Sequence, residues 1–299
     1  MKIRKKWRFI LAACVSMTVL VLAGACFAAA KQEPLSGKFG LFSWNVSVMA
    51  ESEKDTLNRC IQQAGVGRIY QNIPEQNLAL KETAGFIRRM SARSVEVYSL
   101  LGDSEWSYEK DGGSLRYELE QIVLYNAGQE KNARIAGVMV DVEPYLLDEW
   151  GRSSRSRKKL MERYLSGIKK GYDYAVENRL KFWVCIPVFY DVTNEDILEE
   201  LISTACDGIA LMNYDRTDEY MQIAKEVGYA REYQKDVVCV YELQEPGSHD
   251  LEEINTYAGL GLKALWSSAT RLEAQFGYER LQFGYHYYDP LTDLLAKET

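Results

Sequence analysis

The chain has 299 residues and a formal net charge of −7. This length suits one large domain with a full hydrophobic core. The acidic balance argues against nucleic acid and against an anionic membrane surface as partners, because both would repel the protein.

The first 30 residues have the pattern of an export signal. Five basic residues between Lys2 and Arg8 precede an apolar stretch, residues 9–30, that ends in small side chains. Three outcomes remain open: cleavage after residues 28–30, lipid attachment at Cys26 as in bacterial lipoproteins, or an uncleaved membrane anchor. In each case we expect the rest of the chain to fold outside the cytoplasm of a bacterial cell. It would be secreted, or held at the cell surface by this segment alone.

Strand-like and helix-like stretches then alternate along the chain. Strands are predicted at residues 38–46, 68–73, 95–102, 135–143, 181–190, 208–214, 237–243 and 262–267. Amphipathic helices are predicted at 53–64, 78–92, 115–130, 155–178, 195–206, 218–232 and 251–258, with a last helical region at 271–295. Eight such units predict a single α/β domain, residues 31–299, folded as a (β/α)8 TIM barrel. The longest strand-to-helix loops are expected at 103–113 and 144–154, with no long insertion after the seventh strand.

Metal chemistry finds little support in the sequence. The only histidines, His249 and His286, are far apart in the chain, which argues against a histidine-based zinc site and a Ser-His-Asp triad. The cysteines that follow the signal lack C-x-x-C spacing, so we expect buried thiols, with a disulfide left open. They are Cys60, Cys185, Cys206 and Cys239. We therefore expect neither a metal nor a cofactor.

The fourth predicted strand ends in two carboxylates. An apolar run, residues 135–140, leads into Asp141 and Glu143, which point to the same side of a strand because they are two residues apart. Acids at the carboxyl end of a buried parallel strand are costly unless they face a cleft. Substrates of α/β barrels bind at that end, so the pair predicts acid/base chemistry there.

The carboxyl ends of the other strands are rich in acids, amides and aromatic residues. Rings stack on sugars, while amides and carboxylates bond hydroxyl groups, so this composition predicts a polysaccharide or oligosaccharide substrate. Packing in the core is the stronger interpretation for Tyr70, Tyr190 and Tyr241, and it equals stacking for Trp44 and Trp266. The candidate substrate-binding residues are Trp44, Asn45, Tyr70, Asn72, Trp106, Tyr145, Tyr190, Asn213, Asp215, Tyr241 and Trp266.

Three segments together resemble glycoside hydrolase family 18, the chitinase-like barrels. They are A-G-V-M-V-D-V-E at 136–143, M-N-Y-D at 212–215 and the tryptophan at 266. The family carries D-G-x-D-x-D-x-E on its fourth strand, M-x-Y-D on its sixth and a tryptophan ending its eighth. The resemblance implies that Glu143 is the general acid and that Asp141 assists an N-acetyl nucleophile of the substrate. It also implies that Tyr214 bonds the acetamido group and that Trp266 forms the floor of the pocket.

A second resemblance concerns the segment V-E-P at 142–144. Retaining barrel glycosidases with catalytic glutamates on strands four and seven carry N-E-P there, and Glu242 ends the seventh predicted strand. This resemblance implies Glu143 as acid/base and Glu242 as nucleophile, with Val142 in place of the asparagine. Such a mechanism needs the two carboxyl groups about 5–5.5 Å apart.

The sequence thus predicts an exported, monomeric, retaining glycoside hydrolase that acts by one of these two mechanisms. The alternative is a non-catalytic, envelope-attached carbohydrate-binding protein built on a degenerate glycosidase barrel. Ala136 and Met139 favour this alternative, since they stand where the family 18 pattern has its first two acids. The presence of Glu143 opposes it.

Overall fold

The computed structural model describes residues 33–297, and in this range eight parallel strands close into a barrel. The strands are β1 Phe39–Ser43, β2 Val66–Gln71, β3 Glu96–Leu101, β4 Gly137–Val140, β5 Lys181–Pro187, β6 Gly208–Met212, β7 Asp236–Glu242 and β8 Leu281–His286. Each strand pairs with the next along the chain, and β8 completes the ring by pairing with β1. The predicted barrel fold is confirmed.

Each strand is followed by a helix of at least ten residues that packs outside the sheet. These helices are α1 Lys54–Gln63, α2 Lys81–Ser91, α3 Gly113–Ala127, α4 Ser154–Glu177, α5 Glu195–Thr204, α6 Glu219–Glu232, α7 Leu262–Phe276 and α8 Tyr288–Lys297. The export signal predicted at residues 1–30 lies outside the described residues. Among residues 33–297, no helix combines the length and the apolar character needed to cross a bilayer.

Side chains on each strand alternate between the barrel axis and the surrounding helices. On β4, Val138 and Val140 belong to the large outer core, whereas Met139 belongs to a smaller core inside the barrel. This alternation follows from the pleat of a strand, which turns successive side chains to opposite faces. The four cysteines of the described range are buried in these cores, and none of them forms a disulfide.

Aromatic rings fill the barrel interior toward the amino-terminal ends of the strands. Tyr70, Tyr98 and Trp183 pack there with ring centroids 5.8–6.4 Å apart. The guanidinium of Arg68 lies 4.8 Å from the Trp183 ring, within the range of a cation–π contact. The opposite end of the barrel, where the strands terminate, is therefore the end that can hold a ligand.

The eighth strand does not lie where the sequence predicts it. Residues 262–267 are part of α7, where Leu262, Leu265, Trp266 and Ala269 are buried at helical spacing. The strand is instead Leu281–His286, which the sequence analysis assigned to a helix. A short apolar run shows neither the period of a strand nor that of a helix. A strand and a helix can therefore be distinguished only over a longer stretch of sequence.

The longest strand-to-helix loop follows β7, contrary to prediction. Residues 243–261 separate β7 from α7, and the helix predicted at 251–258 is replaced by two 3-10 turns, Ser248–Asp250 and Glu253–Asn255. The loop is longer than expected because the eighth strand was placed too early in the chain.

One acid on a helix outside the barrel is buried without a hydrogen-bond partner for its carboxyl group. The carboxylate oxygens of Glu226, on α6, are buried and have no hydrogen-bond partner within the described part of the chain. Burial raises the pKa of Glu226 to about 7, and the charge of nearby Asp191 adds to the shift. In the folded protein Glu226 is therefore mostly protonated below about pH 7.

Glu226 should make the stability of the protein depend on pH. Its pKa is raised on folding, so its contribution is fully present below about pH 4 and is lost as the pH rises through about 7. When the pH rises from 5 to 8, the free energy of unfolding should fall less for Glu226→Gln than for the wild type. The difference between the two falls should be up to about 3 kcal/mol. Urea denaturation at both pH values measures the difference. Glu232→Gln, an exposed change on the same helix, is the matched control. Parallel pH profiles for wild type and Glu226→Gln would contradict the prediction.

Candidate active site

A cavity of about 760 Å³ opens at the carboxyl ends of the strands. Its volume lies in the range of small-molecule sites. Six residues that the sequence analysis singled out line this cavity: Trp44, Asp141, Glu143, Tyr145, Tyr214 and Glu242. The structure therefore brings together the acid pair of the fourth strand, the tyrosine of the sixth and the glutamate of the seventh.

Asp141 and Glu143 continue the inward-facing row of β4 beyond Met139. The backbone of Asp141 is fixed closely against β3, since its N–H donates to the carbonyl of Leu101 at 2.7 Å. Gly102 makes this approach possible, because a Cβ atom there would lie 1.9 Å from the carbonyl oxygen of Asp141. The Glu143 carboxylate accepts a hydrogen bond from the Tyr145 hydroxyl.

The carboxyl group of Asp141 is in an environment that disfavours its charge. Burial raises the pKa of Asp141 to about 7, and the charge of Glu143 acts in the same direction, while His286 and the Cys185 thiol act against it. Its Oδ1 atom is buried and has no hydrogen-bond partner among the described residues. Asp141 as a whole is partly exposed and lines the cavity, so its carboxyl group can contact a ligand there.

The environment of Glu242, in contrast, favours the charged form of its carboxyl group. Its Oε1 accepts hydrogen bonds from the backbone N–H groups of Leu243 and Gln244, both at 2.8 Å. Its Oε2 lies 2.7 Å from Nδ1 of His286 and accepts the side-chain amide of Gln244 at 3.3 Å. Burial alone would raise the pKa of Glu242, but His286 and the backbone donors outweigh it and lower the pKa. Glu242 is therefore an ionised carboxylate with both oxygens engaged.

Tyr214 and His286 form one wall of the cavity. Their rings are stacked with centroids 5.6 Å apart. Burial raises the pKa of Tyr214 well above its usual value, and the charges of Glu242 and Asp141 contribute. The hydroxyl of Tyr214 therefore stays protonated and can donate a hydrogen bond.

Aromatic and aliphatic side chains surround the mouth of the cavity. Trp44 and Phe189 are 40% and 38% exposed, on the loops that follow β1 and β5. Phe189 packs edge-on against Tyr145, with ring centroids 5.4 Å apart. Exposed rings at the rim of a cavity that holds carboxylates provide faces on which a sugar can stack.

Four candidate binding residues are packed into the protein, which for Tyr70, Tyr190 and Tyr241 is the interpretation that the sequence favoured. Tyr70 lies in the aromatic layer inside the barrel, whereas Tyr190 and Tyr241 point outward into the core beneath the helices. Trp266 lies on α7 and donates from Nε1 to the Tyr285 hydroxyl at 2.8 Å. Trp266 therefore does not form the floor of the pocket, because the strand expected to carry it is a helix.

The remaining predicted binding residues hold the backbone instead of lining the cavity. Asn45 and Asp215 accept hydrogen bonds from Ser47 and Thr217 and so close local turns. Asn72 donates to the carbonyl of Leu100, and Asn213 to that of Glu219. Trp106 packs against the outer core from the 3-10 turn Ser104–Tyr108. Asn, Asp and aromatic side chains are common in such structural roles, so residue type alone could not separate them from ligands.

The sequence analysis missed several residues of the cavity. His286, Tyr287, Gln244, His249 and Phe189 line it, so both histidines of the chain belong to the cavity although the sequence analysis assigned neither of them to the site. A signal for His286 existed, since in L-Q-F-G-Y-H at 281–286 the outward residues are apolar and alternate with Gln, Gly and His. Within the described range, no cluster of three or more His, Cys, Asp or Glu side chains is arranged to hold a metal ion.

Comparison with known proteins identifies the fold only. No protein-family model and no curated protein matches this sequence. A chitinase from Bacteroides thetaiotaomicron matches in structure with 14% identity and a TM-score of 0.51, over 87% of this chain and 96% of that one. A GH18 chitinase from Pseudoalteromonas aurantia matches with 10% identity and a TM-score of 0.51, over 87% and 98%. A xylose isomerase domain protein from Planctomyces limnophilus matches equally well, with 12% identity and a TM-score of 0.51, over 87% and 94%. The barrel is thus shared by glycosidases and sugar isomerases, and the site must decide between them.

The close contact at Gly102 should make that position intolerant of any side chain. We expect Gly102→Ala to lower the free energy of unfolding by about 1–3 kcal/mol, because the added methyl group overlaps the Asp141 carbonyl. Gly85→Ala is the control, since its Cβ meets only a side-chain atom at 3.7 Å and the helix α2 gains propensity. Urea denaturation measures both changes. A Gly102→Ala variant as stable as the wild type would refute the proposed contact.

Proposed function

We propose that this protein is an exported glycoside hydrolase in which Glu143 is the proton donor. The observation that carries the proposal is the placement of two neighbouring acids, Asp141 and Glu143, in a cavity at the carboxyl ends of the strands. A glycosidase needs a carboxylic acid at the bond to be cleaved and a second group for the charge that develops at the sugar. Exposed rings such as Trp44 supply the stacking surface that a sugar requires.

The acid pair can retain a proton near neutral pH. Ionisation of both members is disfavoured, because the Asp141 carboxyl is buried and its pKa is raised further by the charge of Glu143. The hydrogen bond from Tyr145 orients the Glu143 carboxyl within the cavity. In the proposed reaction the proton held by Asp141 passes to Glu143 when substrate binds, and Glu143 gives it to the glycosidic oxygen as the bond to the sugar breaks, which leaves Asp141 ionised.

Substrate assistance is the mechanism that we favour. In it the acetamido oxygen of the substrate attacks the sugar carbon, Asp141 accepts the acetamido N–H and Tyr214 donates to that group. The carboxyl group of Asp141, which lines the cavity, and the protonated hydroxyl of Tyr214 suit these roles. Direct attack by Glu242 is less suited, since both of its oxygens already accept hydrogen bonds. Two structural neighbours named as chitinases support an N-acetylated polysaccharide or oligosaccharide as substrate.

A non-catalytic carbohydrate-binding protein remains the second candidate. Met139, directly below Asp141 on β4, is fully buried inside the barrel, where the family 18 pattern has an acid. A barrel without that acid could still bind a glycan through its rings and amides. Hydrolysis distinguishes the two candidates, because a binding protein releases no product.

We also propose that the catalytic domain acts outside the cytoplasm as a monomer. The support is the basic and apolar pattern of residues 1–30, which predicts export with cleavage, lipidation at Cys26 or retention as an anchor. Contact with the membrane would then involve this segment alone.

Removal of the proton donor should abolish turnover without unfolding the protein. We expect Glu143→Gln to reduce kcat by about 10²–10⁴-fold on N-acetyl-chito-oligosaccharides, because the leaving oxygen receives no proton. The loss should be smaller on 4-nitrophenyl glycosides, whose leaving group needs less assistance. Glu105→Gln, an exposed change on the neighbouring rim, serves as the control. Wild-type rates for Glu143→Gln on both substrates would exclude the assignment.

The substrate-assisted route makes Asp141 and the acetamido group necessary together. We expect Asp141→Asn to lower kcat/KM for N-acetylated oligosaccharides by about 10²-fold or more, because the charge that stabilises the intermediate is lost. Wild-type enzyme should cleave the same oligosaccharides far more slowly after de-N-acetylation. Asp103→Asn, an exposed rim change, is the control. Equal cleavage of both substrates would favour direct attack by Glu242 instead.

A further inference from the structure

Two exposed rings at the cavity mouth, Trp44 and Phe189, lie on opposite sides of the barrel axis. In a ring of eight strands in chain order, β1 and β5 are four positions apart and therefore face each other. Trp44 comes directly after β1 and Phe189 shortly after β5, and both side chains line the cavity. A ligand that contacts both rings therefore extends across the mouth.

Phe189 is held in place by three aromatic rings and by its own backbone. Its ring packs edge-on against Tyr145, Trp150 and Tyr190, with centroids 5.4, 6.1 and 5.5 Å apart. Its carbonyl oxygen accepts hydrogen bonds from the backbone N–H of Thr193 at 3.2 Å and from the Thr193 hydroxyl at 3.0 Å. The residue is nevertheless 38% exposed. Phe189 is thus a preorganised ring, so little side-chain freedom is lost when a sugar packs on it.

Phe189 lies beside the proposed proton donor. Tyr145, which contacts the Phe189 ring, donates its hydroxyl hydrogen bond to the Glu143 carboxylate. One side chain therefore separates the Phe189 ring from the acid. Exposed Leu146, the next residue after Tyr145, also lines the cavity and enlarges its apolar surface. Because Glu143 protonates the leaving oxygen, the sugar that departs occupies the space beside this acid.

The sugar whose bond breaks is assigned to the other groups of the cavity. Asp141 and Tyr214 would bind its acetamido group, as argued above. Trp44 lies across the mouth from Phe189, so it faces the retained part of a glycan that runs past Glu143. Trp44 is itself exposed, so the cavity is open to solvent at this end.

We propose that Phe189 forms the subsite for the leaving sugar and Trp44 a subsite for the retained part of the chain. A glycan held at both rings has sugars on both sides of the bond that breaks. The protein therefore cleaves internal bonds of a polysaccharide or oligosaccharide. This inference rests on the proposed hydrolase function and adds to it the place of cleavage in the substrate.

The cleavage pattern of N-acetyl-chitohexaose tests this arrangement. Phe189→Ala should weaken the leaving side, so the fragment that carries the old reducing end becomes shorter. Trp44→Ala should weaken the retained side and lengthen the same fragment. Hydrolysis in heavy-oxygen water followed by mass spectrometry identifies the fragments, because only the newly formed reducing end takes up the label. Shifts in the same direction, or release of single sugars alone by the wild type, would overturn the proposal.

Two further variants separate a subsite from a structural role. Phe189→Leu keeps an apolar side chain among the three rings but loses the flat face, and it should shift the cleavage position as Phe189→Ala does. Val192→Ala, an exposed change on the short helix Tyr190–Thr193, is the control and should keep the wild-type pattern. If Phe189 served only to hold Tyr145 against Glu143, its substitution would lower the rate without moving the cleavage position. That result would contradict the proposal.

Binding without turnover separates this inference from the hydrolase proposal. Calorimetric titration of the Glu143→Gln protein with N-acetyl-chito-oligosaccharides of increasing length measures it. In that background, Phe189→Leu and Trp44→Ala should each weaken binding of the hexaose by about 3- to 10-fold, the value of one aromatic contact. At most one of the two changes should weaken binding of the disaccharide.

The possible outcomes of the titration have distinct meanings. Equal losses for the disaccharide would place both rings on one sugar, and an unchanged affinity for the hexaose in either variant would remove that ring from the site. Each result overturns the inference even if the protein hydrolyses the glycan. The expected pattern in a protein that releases no product would support the two-sided arrangement and reject the hydrolase.

Discussion

Side chains on a closed parallel barrel alternate between the axis and the surrounding helices, and this constraint decides which residues reach the cavity. On β4 the inward row runs from Met139 to Asp141 and Glu143, while Val138 and Val140 pack outward. On β7 the alternation sends Tyr241 to the helices and leaves Glu242 at the axis. Two adjacent residues within a strand therefore cannot both face the barrel axis. The site is the set of inward residues at the last positions of the strands, together with the loops above them.

The same constraint explains what the sequence could and could not predict. Asp141, Glu143 and Tyr214 were found because the strands that carry them are bounded by clear helices. Tyr241 was chosen because it stands at a strand end, although its neighbour Glu242 already occupies the inward position. For Trp266 the error came earlier, since an amphipathic helix was interpreted as a strand. That single misplacement also concealed His286 and the length of the loop after β7.

The hydrogen-bond partners of the carboxylates in the cavity could not be predicted from the sequence. Asp141 and Glu242 are both carboxylates in one cavity, yet one lacks a donor at Oδ1 and the other receives donors at both oxygens. The difference arises from backbone geometry, because the chain turns after β7 so that two N–H groups point at Glu242. A pattern of residue types does not contain this information. Burial and the charge of Glu143 disfavour ionisation of Asp141, whereas His286 and the two backbone donors keep Glu242 charged.

The loop after β7 is hydrogen-bonded to its surroundings near the residues where it ends. Thr256 and Asn255 bond the backbone of Gln244 and Tyr214, and so tie the end of the loop to two neighbouring strand ends. At the tip, Gly247 and His249 have left-handed backbone conformations and lie toward solvent. Insertions or exchanges between these anchors would alter the roof of the cavity and leave the carboxylates below undisturbed. The loop after β7 is thus the segment through which evolution or protein engineering could retune ligand selectivity on a constant reaction centre.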